Sequence, residues 1–141
     1  MTMVSDGERE VFAALADVLI PAAEGMPAAS AVDVQGAMLD RILGLRPDLV
    51  EAFRRGLAAA AGIPPADAAA ALNRDDAEAF GAIGIVVSAG YYMTPAVREL
   101  IGYPGQVKRP PDPDETPEYV ENGMLKQVID RGPIFVPTPE A

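Results

Sequence analysis

The chain contains no cysteine and no histidine. The first absence removes disulfides and thiolate nucleophiles. The second removes imidazole acid–base chemistry, and together they leave almost no ligand set for zinc, copper, haem iron or an iron–sulfur cluster. Positive charge is scarce as well: Lys and Arg total 11 against 21 Asp and Glu, a formal net charge of -10 with a pI of about 4.3. Such a surface repels nucleic acid and anionic membrane, which excludes both as partners. The longest apolar stretch, Phe80 to Tyr92, is broken by glycines and falls short of the roughly 20 residues a bilayer span needs. The opening "MTMVSDGEREVF" has neither a basic and apolar leader nor a twin-arginine pair, so a cytoplasmic location is expected.

What is present suits one small domain. The chain has 141 residues, 50% of them of hydrophobic type, enough to bury a modest core. From Asp6 to Ile20, Val11, Phe12, Leu15, Val18 and Leu19 recur at three- and four-residue spacings, the pattern of an amphipathic helix capped by Ser5 or Asp6 and stopped by Pro21. A long loop of small residues follows. A second helix is predicted from Val32 to Leu43, with Val34, Met38, Leu39 and Ile42 inward. A third begins after Pro47, carries Leu49, Val50, Phe53 and Leu57, and closes at Gly62. "IPPADAAAALNRDD" gives a short fourth helix, and Asn73 is the expected cap of the fifth, whose first turn is acidic.

That fifth helix, "AFGAIGIVVSAGYYM", reads as the core element. Apolar and small residues cover every side of it, and Gly81, Ala82, Gly84, Ser88 and Gly90 are expected to let neighbouring backbones approach, because each helical glycine costs about 1 kcal/mol against alanine. "TPAVRELIG" adds a short helix with Thr94 as cap, Pro95 in its first turn and Gly102 as its stop. The architecture predicted is all-α: a small irregular helical bundle over residues 1–102 and a long, extended, proline-rich C-terminal arm over residues 103–141. Eight prolines from Pro104 to Pro139, counting Pro104 itself, confine helix in the arm to one turn near "NGMLKQVIDRG".

The middle of the arm, "KRPPDPDETPE", is polar, but its two ends carry Tyr103, Val107, Met124, Leu125, Val128, Ile129, Ile134, Phe135 and Val136. Ordering the arm costs about 1 kcal/mol or more per residue, beyond what one interface of standard size returns. The arm is therefore expected to pack on its own core, on a large obligate interface above about 2,000 Å², or on both.

Candidates for chemistry are few. Asp75 with Asp76, and Asp112 with Asp114, are carboxylate pairs, yet helix capping accounts for the first and solvation for the second. "DPDE" (Asp112, Asp114, Glu115) offers hard oxygen ligands without the spaced array of a calcium loop. Ser88 has no histidine to activate it, and Lys108 or Lys126 would have to serve as base. The glycines of the fifth helix follow no strand and form no phosphate loop. A stand-alone helical ligand-binding domain, or an enzyme built on carboxylates and tyrosines, remains open and requires a concave pocket with convergent polar groups. A homo-oligomer with exchanged arms also remains open.

Three segments in series, "ALADVLIPAAEGMPAASAVDV", "SAGYYMTPAVRELIGYPGQ" and "GMLKQVIDRGPIFVPTP", together resemble the gluconate 2-dehydrogenase subunit 3 family. These are small subunits of bacterial sugar dehydrogenases whose large subunit is a flavoprotein of the glucose-methanol-choline oxidoreductase type. The resemblance implies a non-catalytic, chaperone-like accessory subunit with no catalytic residue, metal or cofactor of its own; FAD and the oxidation of CH–OH groups belong to the large subunit. Exported members commonly carry a twin-arginine signal, from which this sequence departs. On this reading Tyr91, Tyr92, Met93, Pro95, Tyr103, Pro104, Ile134 and Phe135 are the expected partner contacts, the aromatics as buried anchors and Tyr-Pro-Gly as the point where the arm leaves the core.

Overall fold

The computed structural model describes residues 4–108 and 117–136. The protein is all-α, and no strand occurs among the described residues. Helices α1 (Asp6–Leu19), α2 (Ala37–Leu45), α3 (Val50–Ala60), α4 (Pro65–Asp75), α5 (Ala77–Met93) and α6 (Pro95–Leu100) form the bundle; α7 (Glu118–Glu121) and α8 (Lys126–Arg131) lie in the arm. Two units partition the chain, the first ending at Gly105 and the second beginning at Gln106.

Local chemistry sets the helix starts. Ser5 and Glu8 form a capping box on α1: the Ser5 hydroxyl accepts from the Glu8 N–H, and the Glu8 carboxylate accepts from the Ser5 N–H at 2.8 Å. The cap of α5 is Asp76, which accepts from the Ala79 N–H at 3.0 Å; Asn73 lies inside α4 instead of capping α5 as predicted. Asp76 is also gripped by the Arg55 guanidinium of α3, at 2.7 and 3.2 Å, so one carboxylate starts α5 and ties it to its neighbour. Thr94 occupies the cap position of α6 but does not cap it; its hydroxyl donates back to the Gly90 carbonyl at 2.8 Å.

The second helix starts later than its apolar pattern predicts. Ser30–Val32 forms a single 3-10 turn, Asp33 then takes a left-handed conformation (φ 58°) that an α-helix cannot pass through, and α2 begins only after Gly36. Val34 is nevertheless buried, delivered by loop and not by helix.

Helix α5 packs on α1, α2, α3, α4 and α6. Its Ala79, Ala82, Ile83, Val86, Val87, Gly90 and Tyr91 enter a core that also takes Phe12 and Leu15 from α1, Leu39, Ile42 and Leu43 from α2, and Phe53 and Leu57 from α3. The rings of Phe12 and Phe53 meet edge to face, centroids 5.2 Å apart. The closest approach to α5 comes through Gly56 of α3, where a Cβ would lie 2.8 Å from Ile83 Cδ1 and 3.2 Å from Ala79 Cβ.

The long connection from Ile20 to Gly36 is held by three side chains. Arg9 donates to the carbonyls of Gln35 (2.6 Å) and Gly36 (3.0 Å) and to both carboxylate oxygens of Asp40. Asp17 accepts from the Ser30 N–H and hydroxyl at 2.8 and 2.6 Å. The Tyr91 hydroxyl donates to the Pro27 carbonyl at 2.7 Å. Phe53 joins the most buried layer of this core, and Phe53→Ala is expected to lower unfolding free energy by about 3–5 kcal/mol, read from urea denaturation followed by circular dichroism.

Candidate functional site

Glycines on α5 separate into two kinds. Gly90 faces Val34 and Ile42, where a Cβ would rest in ordinary contact at 3.5 Å. Gly81 and Gly84 have nothing among the described residues within 4 Å of where a Cβ would lie, so none of the described helices makes the predicted close approach there. At 100° per residue, Gly81, Gly84, Ile85, Ser88 and Tyr92 share one side of α5. Gly81, Ile85, Ser88 and Tyr92 are exposed and Gly84 is half-buried; Ile85 is 45% and Tyr92 54% accessible. From Gly81 to the end of α5 this side carries no charge. The predicted all-round burial of the helix is thus corrected: one lane of it lies open.

The two tyrosines part company at the end of this lane. Tyr91 is 1% exposed and bonded to the Pro27 carbonyl, which makes it a side chain of the chain's own core where an anchor buried against a partner was expected. Tyr92, one residue on and about 100° around the helix, stands outward with its ring edge to face against Tyr91 at 5.3 Å. Met93 is partly buried against the core. Pro95, Tyr103 and Pro104 line a shallow depression of about 520 Å³ with Arg98, Glu99 and Gly102. The Arg98 guanidinium sits 5.3 Å from the Tyr103 ring centroid and holds that ring beside the end of α6. Gly102 (φ 66°) and Gly105 (φ 86°) make the turns that carry the chain past Tyr103.

In the second unit α8 falls within the predicted turn, and α7 is an additional turn that the proline spacing did not suggest. Ile134 and Phe135 lie beyond α8 in chain without regular secondary structure, 69% and 78% exposed, with Val136 at 83%. Met124, Val128 and Ile129 are exposed as well.

The candidate catalytic groups are occupied elsewhere. Asp75 pairs with Arg74 at 2.7 Å and Asp76 with Arg55; these guanidinium hydrogen bonds hold both carboxyls below the usual aspartate range. Ser88 stands on the open lane of α5 with no base hydrogen-bonded to it among the described residues. Asp112, Asp114 and Glu115 lie outside the described residues. Among those described, no cluster of three acidic side chains is placed to hold a metal ion, and no helix is long and apolar enough to cross a membrane. A pocket of about 220 Å³ between α1 and the α3–α4 turn is lined by Val11, Leu15, Ile63 and Pro65 with Glu10 as its one ionisable residue; it lacks the convergent polar groups of a ligand site.

Comparison with known proteins returned nothing: no family model matches the chain, and neither a curated protein nor a solved structure matches it.

Burial in the core, with Tyr92 beside it, raises the pKa of the Tyr91 phenol. A raised acid favours the neutral folded form, so its contribution is complete below the unfolded value of about 10 and is lost as pH climbs past it. Tyr91→Phe is expected to cost about 1 kcal/mol at neutral pH through the orphaned Pro27 carbonyl, and to flatten the fall in stability above pH 10 in urea titrations. At the open lane the sign reverses. Gly81→Ala and Gly84→Ala should each stabilise the isolated chain by about 0.5–1 kcal/mol, because helix propensity improves and nothing is displaced.

Proposed function

We propose that the chain is the non-catalytic small subunit of a heteromeric sugar or glycoside dehydrogenase, binding and stabilising an FAD-dependent large subunit of the glucose-methanol-choline type. The observation that carries this reading is the open lane of α5. Two helical glycines, each unfavourable by about 1 kcal/mol, have no packing reason among the described residues, and they share a side of α5 with exposed Ile85 and Tyr92 that is uncharged from Gly81 onward. A glycine lane of this kind accommodates the close approach of another polypeptide. The exposed apolar side chains of the arm support the same reading, since Ile134, Phe135 and Val136 together offer the uncharged, aromatic-containing area typical of an interface core. The three segments in series that resemble the gluconate 2-dehydrogenase subunit 3 family supply the class of partner.

The division of labour follows from side-chain chemistry. This chain has no imidazole or thiol to move protons or attack substrate, so flavin binding and CH–OH oxidation fall to the large subunit. Its own part is to cover apolar surface on that subunit and to keep it folded around the flavin. Binding of this kind stabilises the partner by mass action. A cytoplasmic location belongs to the same proposal.

Affinity purification of the tagged chain from its native host should bring down a larger yellow protein with a flavin absorbance spectrum. Gly81→Leu, which fills the lane at an exposed position, should reduce that recovery by about tenfold, a loss of about 1.4 kcal/mol in binding, while the helical circular dichroism of the chain stays unchanged. A colourless monomer, and a large subunit whose yield and flavin content are indifferent to the small chain, would overturn the proposal.

A further inference from the structure

The five residues after α8, Gly132 to Val136, carry no regular secondary structure and end on Phe135 and Val136, the two most exposed large apolar side chains among the described residues. Gly132 leaves the helix at φ 70°, its N–H still bonded to the Ile129 carbonyl at 3.1 Å. Beyond it, the N–H groups of Ile134, Phe135 and Val136 have no hydrogen-bond partner among the described residues. Ile, Phe and Val are three of the residue types that fit a pleated sheet best, yet three residues cannot form a sheet alone. A second strand has to come from elsewhere.

Proline placement gives this segment a direction. In an extended chain the N–H and C=O of one residue point to the same edge, and those of the next residue to the opposite edge. Were this sequence paired as a strand, Ile134 and Val136 would therefore present two donors and two acceptors to one edge. By their places in the sequence, Pro133, Phe135 and Pro137 would fall to the other edge, and the two prolines have no N–H to offer. One edge is complete; the other has lost two of its three donors. This is the arrangement of a terminal strand, in which proline is tolerated on the solvent side and blocks addition of a further strand. Side chains alternate too, Ile134 and Val136 to one face and Phe135 to the other, so both faces of a receiving sheet edge would gain apolar cover.

We propose that Gly132–Val136 joins an exposed sheet edge of the flavoprotein partner as an added terminal strand, hydrogen-bonded through the main chain of Ile134 and Val136, with Phe135 seated on the opposite face. This inference rests on the partner-subunit reading and adds the mode of attachment to it. Main-chain bonds of this type supply affinity, and pockets for alternate side chains supply specificity.

The test uses the full-length tagged chain recovered with its partner from the native host. Ile134→Pro and Val136→Pro each remove a donor from the pairing edge and put a ring in its place, and each should lower recovery of the yellow partner by about tenfold. Ile134→Ala and Val136→Ala, which keep the N–H, should lose less than their proline counterparts. Phe135→Pro removes an N–H from the unpaired edge and should match Phe135→Ala. In the isolated complex, amide hydrogen exchange should be slow at Ile134 and Val136 and fast at Phe135. A complex that forms with wild-type chain but responds equally to proline at all three positions, or to each proline as to its alanine, overturns the added strand and leaves the partner reading standing; side chains seated in a groove would give that result. Wild-type chain that recovers no flavoprotein overturns both.

Discussion

Everything in the bundle answers to one constraint, the need to keep water from a 17-residue helix that carries a single charged side chain. Helix α5 cannot be satisfied by one neighbour, because its apolar residues do not form a single stripe. Five other helices pack on it, and the two aromatic rings of Phe12 and Phe53 close the layer beneath. Those helices do not surround it: among the described residues the lane from Gly81 to Tyr92 stays open, with no neighbour within 4 Å of where a Cβ of Gly81 or Gly84 would lie.

Stabilising α5 required ordering a loop that has little regular structure of its own. The segment from Ile20 to Gly36 contains left-handed Glu24 and Asp33 and an isolated bridge between Ala23 and Met26. Its carbonyl and amide groups are met by Arg9, Asp17 and Tyr91, each reaching in from a helix. Such side-chain bonds to backbone meet the requirement that hydrogen-bonding groups near the core be paired. They also lock Val34 over Gly90 and turn Tyr91 inward, which leaves Tyr92 as the aromatic presented to solvent.

Local signals were legible where one residue's chemistry suffices. The Ser5 start of α1, the proline starts of α4 and α6 and the glycine stops at Gly62 and Gly102 all depend on neighbours within a turn. Where two local options compete, the outcome was not legible. Asn73 and Asp76 are both good caps, and Arg55, distant in sequence, favours Asp76 by pairing with it. Thr94 can cap forwards or bond backwards, and it bonds to Gly90. The apolar residues from Val32 onward fit a helix, but Asp33 takes a left-handed turn within a loop whose next carbonyls, at Gln35 and Gly36, bond to Arg9.

The amino-acid sequence by itself determined that this is an acidic, all-helical chain with a proline-rich arm and neither imidazole nor thiol, because charge, helix period, proline geometry and residue content are properties of residues and short windows. Only the tertiary structure decided which side of α5 is covered, which of two adjacent tyrosines is core and which is surface, and where the apolar area of the arm lies exposed. Those are properties of distance between segments far apart in sequence, and no local window contains them.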